Sequence, residues 1–214
     1  MTAGPLSLSS GLPAFTHEDA LPGPVAGVDE VGRGPWAGPV VACAVILDRA
    51  RVPEGLADSK ALTARRREAL SALILADHAV GIGLCEVAEI DAPGMGVGRA
   101  TLLAMARAVR ALPTYPSGAL VDGTQAPDLG PVTVRTLPRA DALSASVAAA
   151  SIVAKVHRDA LMARLAGDHP AYGWDRNKGY GTRQHAAALA AHGVTPHHRR
   201  SFAPVAARLA KSPS

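Results

Sequence analysis

The feature that most constrains the fold of this chain is a pair of apolar runs rich in β-branched residues, at residues 25–31 and 40–47. Side chains of this kind pack well on a pleated sheet, so both runs predict β-strands. The connection between them, GRGPWAGP, is short and rich in Gly and Pro, which predicts that the two strands are antiparallel neighbours. The folded domain is therefore expected to begin near Pro24 with these strands.

The rest of the chain alternates between strand and helix patterns. Further strands are predicted at residues 79–87, 119–121 and 132–137, and helices at residues 63–77 (capped by Thr63), 97–112, 144–166, 183–192 and 204–211. This order predicts an α/β layered domain with a mixed five-stranded sheet flanked by helices, followed by a helical C-terminal segment from about residue 167. In this interpretation residues 1–23 form a flexible leader, residues 24–205 the domain, and residues 206–214 a tail.

Several classes of protein are excluded at this level. The chain has 214 residues, 48% of them hydrophobic, which predicts a globular protein rather than a disordered one. The longest apolar run, residues 40–47, is far shorter than the roughly 20 residues that cross a bilayer, so no membrane span is expected. No Lys or Arg precedes Arg33, so we expect no secretory signal and a cytoplasmic location. Cys43 and Cys85 lie within apolar runs and are predicted to be buried thiols.

The charge distribution favours a polyanionic partner. Residues 169–200 hold five of the Lys and Arg residues but one acid, Asp175, while the whole chain has a net charge of +4. Only seven residues are aromatic, which is too few for a surface that binds single strands by stacking bases. Any nucleic acid is therefore expected to be held mainly by its backbone. Five histidines also lie in this segment, but their spacing does not match a zinc site.

Acidic residues at strand ends suggest a metal site. Asp29 and Glu30 lie within the first strand, Asp122 directly follows residues 119–121, and Asp141 follows the strand that ends near residue 137. Buried carboxylates cost free energy unless they are paired or bind a metal ion, and hard divalent cations prefer oxygen ligands. Two such ions can carry out phosphoryl displacement.

Two difficulties leave the carboxylate interpretation open at this point. Asp122-Gly123 is also a common turn dipeptide. Successive strand side chains point to opposite faces of a sheet, so Asp29 and Glu30 reach one ion only if a bulge or a strand end lies near Gly32.

Several longer motifs resemble one family. They are GVDEVGRGPWAGPVVACAVIL at residues 27–47, DSK at 58–60, VDG at 121–123, AAASIVAKVHRD at 148–159, NKGYGTRQH at 177–185 and HRRSF at 198–202. In this order and spacing they resemble the type 2 ribonucleases H, in particular bacterial ribonuclease HII. The resemblance implies a ribonuclease H-like fold, dependence on Mg²⁺ or Mn²⁺, and endonucleolytic cleavage on the 5′ side of ribonucleotides that leaves a 3′-OH and a 5′-phosphate. It also implies RNA/DNA hybrids and duplex DNA with single ribonucleotides as substrates, and a role in replication and ribonucleotide excision repair. We expect a monomer, and the sequence identifies no partner protein.

The same resemblance assigns the site residues. The four metal-binding and catalytic acids correspond to Asp29, Glu30, Asp122 and Asp141, and the substrate-binding residues to Gly32, Arg33, Gly34, Lys60, Lys155, Lys178 and Tyr180. Tyr180 is expected to pack on the ribose and to reach its 2′-OH. Lys155 and Arg158 lie three residues apart on a predicted helix and are expected to present one basic edge to a phosphate.

The chain departs from the family at two positions. Ala140 occupies a position that is usually Gly, which puts the placement of Asp141 in question, and the loop at residues 92–98 is unusually rich in Gly. That loop resembles a defective dinucleotide-binding fingerprint, because Arg99 stands where the last Gly belongs. A nicotinamide-dependent oxidoreductase and a duplex-binding module without catalysis are therefore the alternatives to a nuclease.

Overall fold

A mixed five-stranded sheet lies at the centre of the computed structural model, which describes residues 13–211. Its strands are β1 (Val25–Val31), β2 (Val40–Ile46), β3 (Ala79–Cys85), β4 (Gly118–Asp122) and β5 (Thr133–Leu137). They lie in the order β3-β2-β1-β4-β5; β1, β2 and β3 pair antiparallel, and β4 is parallel to both β1 and β5. The predicted antiparallel pairing of the first two strands is confirmed.

Helices cover both faces of the sheet. Helix α3 (Gly96–Arg110) packs on one face, and α1 (Ala64–Asp77) and α4 (Ala145–Asp168) pack on the other. The remaining helices are α2 (Val87–Ile90), α5 (Trp174–Asn177), α6 (Arg183–His192) and α7 (Ala203–Leu209). Short 3₁₀ turns join several of them. The predicted α/β architecture, a five-stranded sheet with helices on both faces and a helical C-terminal region, is confirmed. Among the described residues, no helix is both long and apolar enough to span a bilayer.

The alternation of side chains along β1 decides which helix each face meets. Ala26 and Val28 pack with α3, whereas Val31 packs on the cluster formed with α1 and α4. On the α4 face, Gly27 allows the closest approach: a Cβ atom there would lie 2.2 Å from the backbone carbon of Ser146. The position therefore requires glycine, and the first turn of α4 lies directly against β1.

Local signals in the sequence account for the helix ends. Thr63 caps α1 by accepting a hydrogen bond from the backbone of Arg66, as predicted. Strand β3 ends two residues earlier than predicted because Glu86 and Glu89 form a capping box that starts α2. Both cysteines are fully buried and free, which confirms the predicted thiols.

The N-terminal segment differs from the predicted flexible leader. Residues 1–12 lie outside the described residues, but residues 13–23 pack on the domain. The backbone of Ala14 pairs beside Ser144, at the start of α4. Glu18 is buried, and its Oε1 accepts hydrogen bonds from Ser144 Oγ (2.6 Å), Ser146 Oγ (2.7 Å) and the Ser146 backbone (3.1 Å). A carboxylate at a helix N-terminus also interacts favourably with the helix dipole, which explains why this segment is docked.

Replacing Glu18 by alanine should therefore destabilise the protein. The change leaves two buried hydroxyl groups and one backbone N–H without their acceptor, which costs about 1–3 kcal/mol of unfolding free energy. Urea denaturation measures this loss. Asp19→Ala is the matched control: within residues 13–211 the Asp19 carboxylate forms an exposed ion pair with Arg49, and such pairs contribute about 0–1 kcal/mol. Equal midpoints for the two variants would contradict the role assigned to Glu18.

Candidate active site

The acidic site forms where β1 continues beyond its neighbour β4. Pairing between these parallel strands ends at Val28 and Val121, so Asp29 and Glu30 have no strand beside them on that side. The pairing of β1 with β2 stays regular as far as Val31, without a bulge. A strand end, one of the two solutions that the sequence allowed, therefore places both carboxylates at the edge of the sheet.

Three carboxylates meet at this edge. Asp29 projects towards α4 and Glu30 towards α3, as the alternation of a strand requires, but both reach round the open end of the sheet. Asp122 is the last residue of the neighbouring strand β4. One oxygen atom from each of Asp29, Glu30 and Asp122 lies within 4.8 Å of the other two.

Burial and mutual repulsion raise the pKa values of this group. Burial raises the pKa of Asp29 well above its usual value, and the charges of Glu30 and Asp122 raise it further. The pKa of Glu30 is raised mainly by burial, although Arg33, 3.5 Å away, opposes the shift. Burial also raises the pKa of Asp122, while the backbone N–H of Ala140 (2.7 Å) opposes the shift and the charge of Asp141 adds to it. The three groups thus resist simultaneous ionisation unless a positive charge joins them.

Asp141 stands beside the cluster rather than within it. It is buried in a 3₁₀ turn, Ala140–Ala142, and its Oδ2 lies 3.4 Å from Lys60 Nζ. The hydrogen bond from Ala140 to Asp122 ties this turn to the end of β4. Ala140, at a position that is usually Gly in the family, is fully buried against Leu120 and Val147. The turn that carries Asp141 therefore accommodates the alanine side chain.

A cleft of about 370 Å³ opens next to the carboxylates. Of the residues predicted for the site, its walls include Asp29, Glu30, Gly32, Arg33, Gly34, Lys60, Asp122, Lys155 and Tyr180. Gly34 lies so close to Tyr180 that an added Cβ atom would sit 3.4 Å from the ring. Tyr180 is 48% exposed, which leaves the ring accessible. The structure therefore brings most of the predicted residues, from segments far apart in the chain, to one cleft.

Lys178 does not line this cleft. It lies in the adjoining groove between α1 and α4, together with Lys155, Arg67 and Arg176. Lys155 borders both spaces and is paired with Asp159 at 2.6 Å. The prediction that Lys155 and Arg158 together present a basic edge to a phosphate is wrong, because Arg158 is 1% exposed and points into the protein.

Two serines at the site were not singled out from the sequence. Ser59 and Ser151 are buried in the cleft wall, and their hydroxyl groups lie 2.8 Å apart. Hydrogen bonding from Ser151 lowers the pKa of Asp29 and so favours its ionised form. Both serines belong to motifs that carry the family resemblance, DSK and ASIVAK. Their position in these motifs is the sequence signal that could have identified them as site residues.

The donor set fits a hard divalent cation. Carboxylate oxygens from Asp29, Glu30 and Asp122 are close enough to share an ion, and such oxygens are the ligands that Mg²⁺ and Mn²⁺ prefer. The raised pKa values show the electrostatic cost that a cation would relieve. Neither Cys43 nor Cys85 takes part, since both lie in the hydrophobic core.

The dinucleotide-binding alternative does not fit the structure. The Gly-rich segment at residues 92–98 follows the short helix α2, not a strand, and its last three residues form the start of α3. A dinucleotide fingerprint needs its glycines directly between a strand and a helix.

Comparison with known proteins agrees with the geometry. The family model described as Ribonuclease HII matches residues 26–205. A ribonuclease HII of Jannaschia sp. (strain CCS1) is 55% identical over 194 residues, which cover 91% of this chain and 96% of that protein. The ribonuclease H2 from Pyrococcus horikoshii OT3 is similar with a TM-score of 0.73 and 27% identity, covering 88% of this chain and 99% of that one. A chain of the PCNA:RNase HII complex from Archaeoglobus fulgidus has a TM-score of 0.70 and 26% identity, covering 83% of this chain and 94% of that one. These likenesses confirm the predicted ribonuclease H-like fold.

Removing the charge of Asp29 should stabilise the metal-free protein. The pKa of Asp29 is higher in the folded than in the unfolded protein, so stability falls as pH rises from the unfolded value, about 3.9, through the folded value. Asp29→Asn should therefore raise the Tm at pH 8 in EDTA, by about 2–4 °C for each kcal/mol gained in the free energy of unfolding. At pH 4 the same substitution should change the Tm little. Thermal denaturation at both pH values measures the difference.

Two comparisons make this measurement specific. Asp168→Asn removes the same charge from an exposed position at the end of α4 and should leave the Tm nearly unchanged at both pH values. Added Mn²⁺ should raise the Tm of the parent protein more than that of Asp29→Asn, because a cation that binds the folded state stabilises it. An Asp29→Asn variant less stable than the parent at pH 8 in EDTA would contradict the repulsion described here.

Proposed function

Because this chain belongs to the ribonuclease HII family and is thus a type 2 ribonuclease H, we propose that it cuts on the 5′ side of ribonucleotides. The proposed substrates are RNA/DNA hybrids and duplex DNA that contains single ribonucleotides. The products carry a 3′-OH and a 5′-phosphate. The observation that carries this proposal is the clustering of Asp29, Glu30 and Asp122 beside a cleft lined by the Gly32–Gly34 backbone and Tyr180.

The ribonuclease H family is metal-dependent, and the grouping of three carboxylates supports a metal site at this edge of the sheet. We assign Asp29, Glu30 and Asp122 as the residues that hold Mg²⁺ or Mn²⁺, with Asp141 as a fourth ligand for a two-ion site. When bound, the ions supply charge neutralisation at the phosphate and activation of the attacking water. No histidine is assigned as a general base.

The residues of the chain position the substrate around this point. Lys60 lines the cleft, and its Nζ lies 3.4 Å from Asp141 Oδ2. Burial lowers the pKa of Lys60, but the charges of Asp141, Asp58 and Asp29 outweigh this effect and raise it, so Lys60 is a cation at neutral pH. Its role is to contact a substrate phosphate. Tyr180 packs on the ribose with its ring and binds the 2′-OH with its hydroxyl group. Backbone at Gly32, Arg33 and Gly34 approaches the same sugar, since two of these residues lack a side chain.

The groove beside the cleft suits the phosphate backbone of the duplex. Arg67, Lys155, Arg176 and Lys178 line it, with Glu68 and Asp159 between them. Contacts of this kind bind without regard to sequence and weaken as salt increases. We further propose that the chain acts as a monomer in the cytoplasm, with residues 24–205 as its catalytic domain, in replication and ribonucleotide excision repair.

Cleavage of a duplex with one embedded ribonucleotide tests the function directly. The parent protein with Mg²⁺ should nick the strand on the 5′ side of the ribonucleotide, and end analysis should find a 3′-OH and a 5′-phosphate. Asp122→Asn should lose about a thousandfold or more in rate, because the charge stabilisation that a bound ion supplies amounts to several kcal/mol. Binding of the duplex should persist. Asp128→Asn, at an exposed position in the loop after β4, is the control and should cut like the parent.

Two results would contradict the proposal. If the ribonucleotide-containing duplex stays intact with both Mg²⁺ and Mn²⁺, the nuclease activity is rejected. The remaining alternative is then a module that binds the duplex without cutting it. Activity of Asp122→Asn within a few-fold of the parent would remove that carboxylate from the metal site.

Tyr180→Phe tests the recognition of the sugar. Loss of the hydroxyl group removes one hydrogen bond to the 2′-OH, which should lower kcat/KM for the single-ribonucleotide duplex by about two- to tenfold. The ring still packs on the ribose, so the variant should remain active. Tyr115→Phe is the control, since Tyr115 binds the carbonyl oxygen of Leu129 away from the cleft. An unchanged kcat/KM in Tyr180→Phe would reject the hydrogen bond assigned to Tyr180.

A further inference from the structure

Two arginines are buried behind the cleft without an acidic partner. Arg158 is 1% exposed and Arg199 is fully buried. Among residues 13–211, neither guanidinium group forms an ion pair with a carboxylate. Buried arginine is rare unless its charge is compensated, so the contacts that replace the missing carboxylate require an explanation.

Arg199 binds the backbone of the segment that we call the GRG loop, residues 32–34. Its Nη2 donates to the carbonyl oxygen of Gly32 at 2.5 Å, and its Nη1 donates to that of Arg33 at 2.9 Å. Its Nε and Nη2 also donate to the carbonyl oxygen of Gly38, at 2.9 and 2.7 Å. Phe202 lies under the guanidinium group at 5.2 Å. Arg199 therefore fixes both ends of the turn that contains the GRG loop.

Arg158 connects the same turn to the segment that carries Tyr180. Its Nη2 donates to the carbonyl oxygen of Ala37 and its Nε to that of Pro39, both at 3.1 Å. Its Nη1 donates at 2.9 Å to the carbonyl oxygen of Lys178, two residues before Tyr180. Lys178 has a left-handed backbone with φ of 52°, an unfavourable conformation for a residue with a side chain. The hydrogen bond from Arg158 helps to hold it there.

Energetics show what the two arginines contribute. Burial lowers the pKa of each to about 10, so both remain cations at neutral pH. The hydrogen bonds of Arg158 to Ala37 and Pro39 and of Arg199 to Gly32 and Gly38 are buried, and a buried carbonyl oxygen left unsatisfied costs about 1–3 kcal/mol. An apolar side chain would fill the same volume but leave those oxygens unpaired. The planar guanidinium group, with five donors, satisfies several carbonyls that converge on one point.

The orientation of these carbonyls bears on the cleft. A peptide unit is planar and trans, so its N–H points opposite to its C=O. Arg199 holds the carbonyls of Gly32 and Arg33 inward, and the N–H groups of Arg33 and Gly34 therefore point away from it. Both of these residues are exposed and line the cleft next to Tyr180.

We propose that Arg199 and Arg158 are positioning residues for recognition of the ribose. Arg199 sets the direction of the peptide groups in the GRG loop, and Arg158 sets the distance from that loop to Tyr180. Together they keep the two walls of the cleft at the separation that one ribose with its 2′-OH requires. This inference rests on the proposed function, and neither arginine touches the substrate.

Ribose discrimination tests the inference. In an Asp122→Asn background, which by the proposed function binds without cutting, affinities are measured for a duplex with one ribonucleotide and for the same duplex in DNA alone. Arg199→Lys keeps the positive charge but loses the guanidinium fork. It should reduce the ratio of the two affinities by about tenfold, because a displaced binding group loses most of its contribution. The affinity for the DNA duplex should change little, and Arg158→Lys should act in the same direction.

A matched control separates positioning from stability. Leu70→Ala removes a fully buried side chain from the cluster between α1, α4 and the sheet, away from the cleft, and should lower stability without changing the ratio. The ratio depends only on folded molecules, so partial unfolding of a variant does not alter it. The inference is overturned if both lysine variants keep the parent ratio within twofold, or if neither yields folded protein, since the arginines would then serve the fold alone. If the parent protein itself neither cuts nor distinguishes the ribonucleotide, the proposed function fails first.

Discussion

Repulsion between carboxylates that the sheet brings together is the constraint on which the rest of the structure depends. Asp29, Glu30 and Asp122 lie within 4.8 Å of one another at the ends of two parallel strands. Burial raises the pKa of each. In the described structure Glu30 pairs with Arg33, and the neighbouring Asp141 pairs with Lys60; both of these cations are exposed. A group arranged in this way is costly for the folded protein and useful only when a cation joins it. The fold thus accepts a loss of stability at the proposed metal site.

The positive charges of the interior are kept apart from this site. Arg158 and Arg199 are buried deeply enough to neutralise a carboxylate, but their hydrogen bonds go to backbone carbonyls. Had either arginine paired with Asp29 or Asp122, the acid would be neutralised by the protein and would bind a metal ion less strongly. The separation leaves the acids for cations and the arginines for the loops that line the cleft.

Local pattern was enough to predict much of the fold. The helix bounds at residues 183–192 and the cap at Thr63 follow from short-range signals that tertiary contacts did not change. Two predictions were wrong for the same reason. Residues 13–23 lack periodicity and were interpreted as a leader, yet Glu18 docks them on α4. Arg199 is one of the five basic residues at 169–200 that led us to expect a polyanionic partner, yet it is fully buried. In both cases the partner is more than 100 residues away in sequence, and composition carries no information about it.

The sequence by itself determined the order of the strands and helices, the acids at the strand ends and the membership of a family, because these depend on local pattern and on motif order. The tertiary structure alone decided how Asp29 and Glu30, on opposite faces of one strand, reach the same point: β4 stops pairing at Val28 and leaves the edge open. It also decided that Asp141 pairs with Lys60 beside the cluster, and that two arginines hold the cleft from behind. These features depend on how segments that are far apart in the sequence lie relative to one another in space, and that arrangement exists only after the sheet has formed.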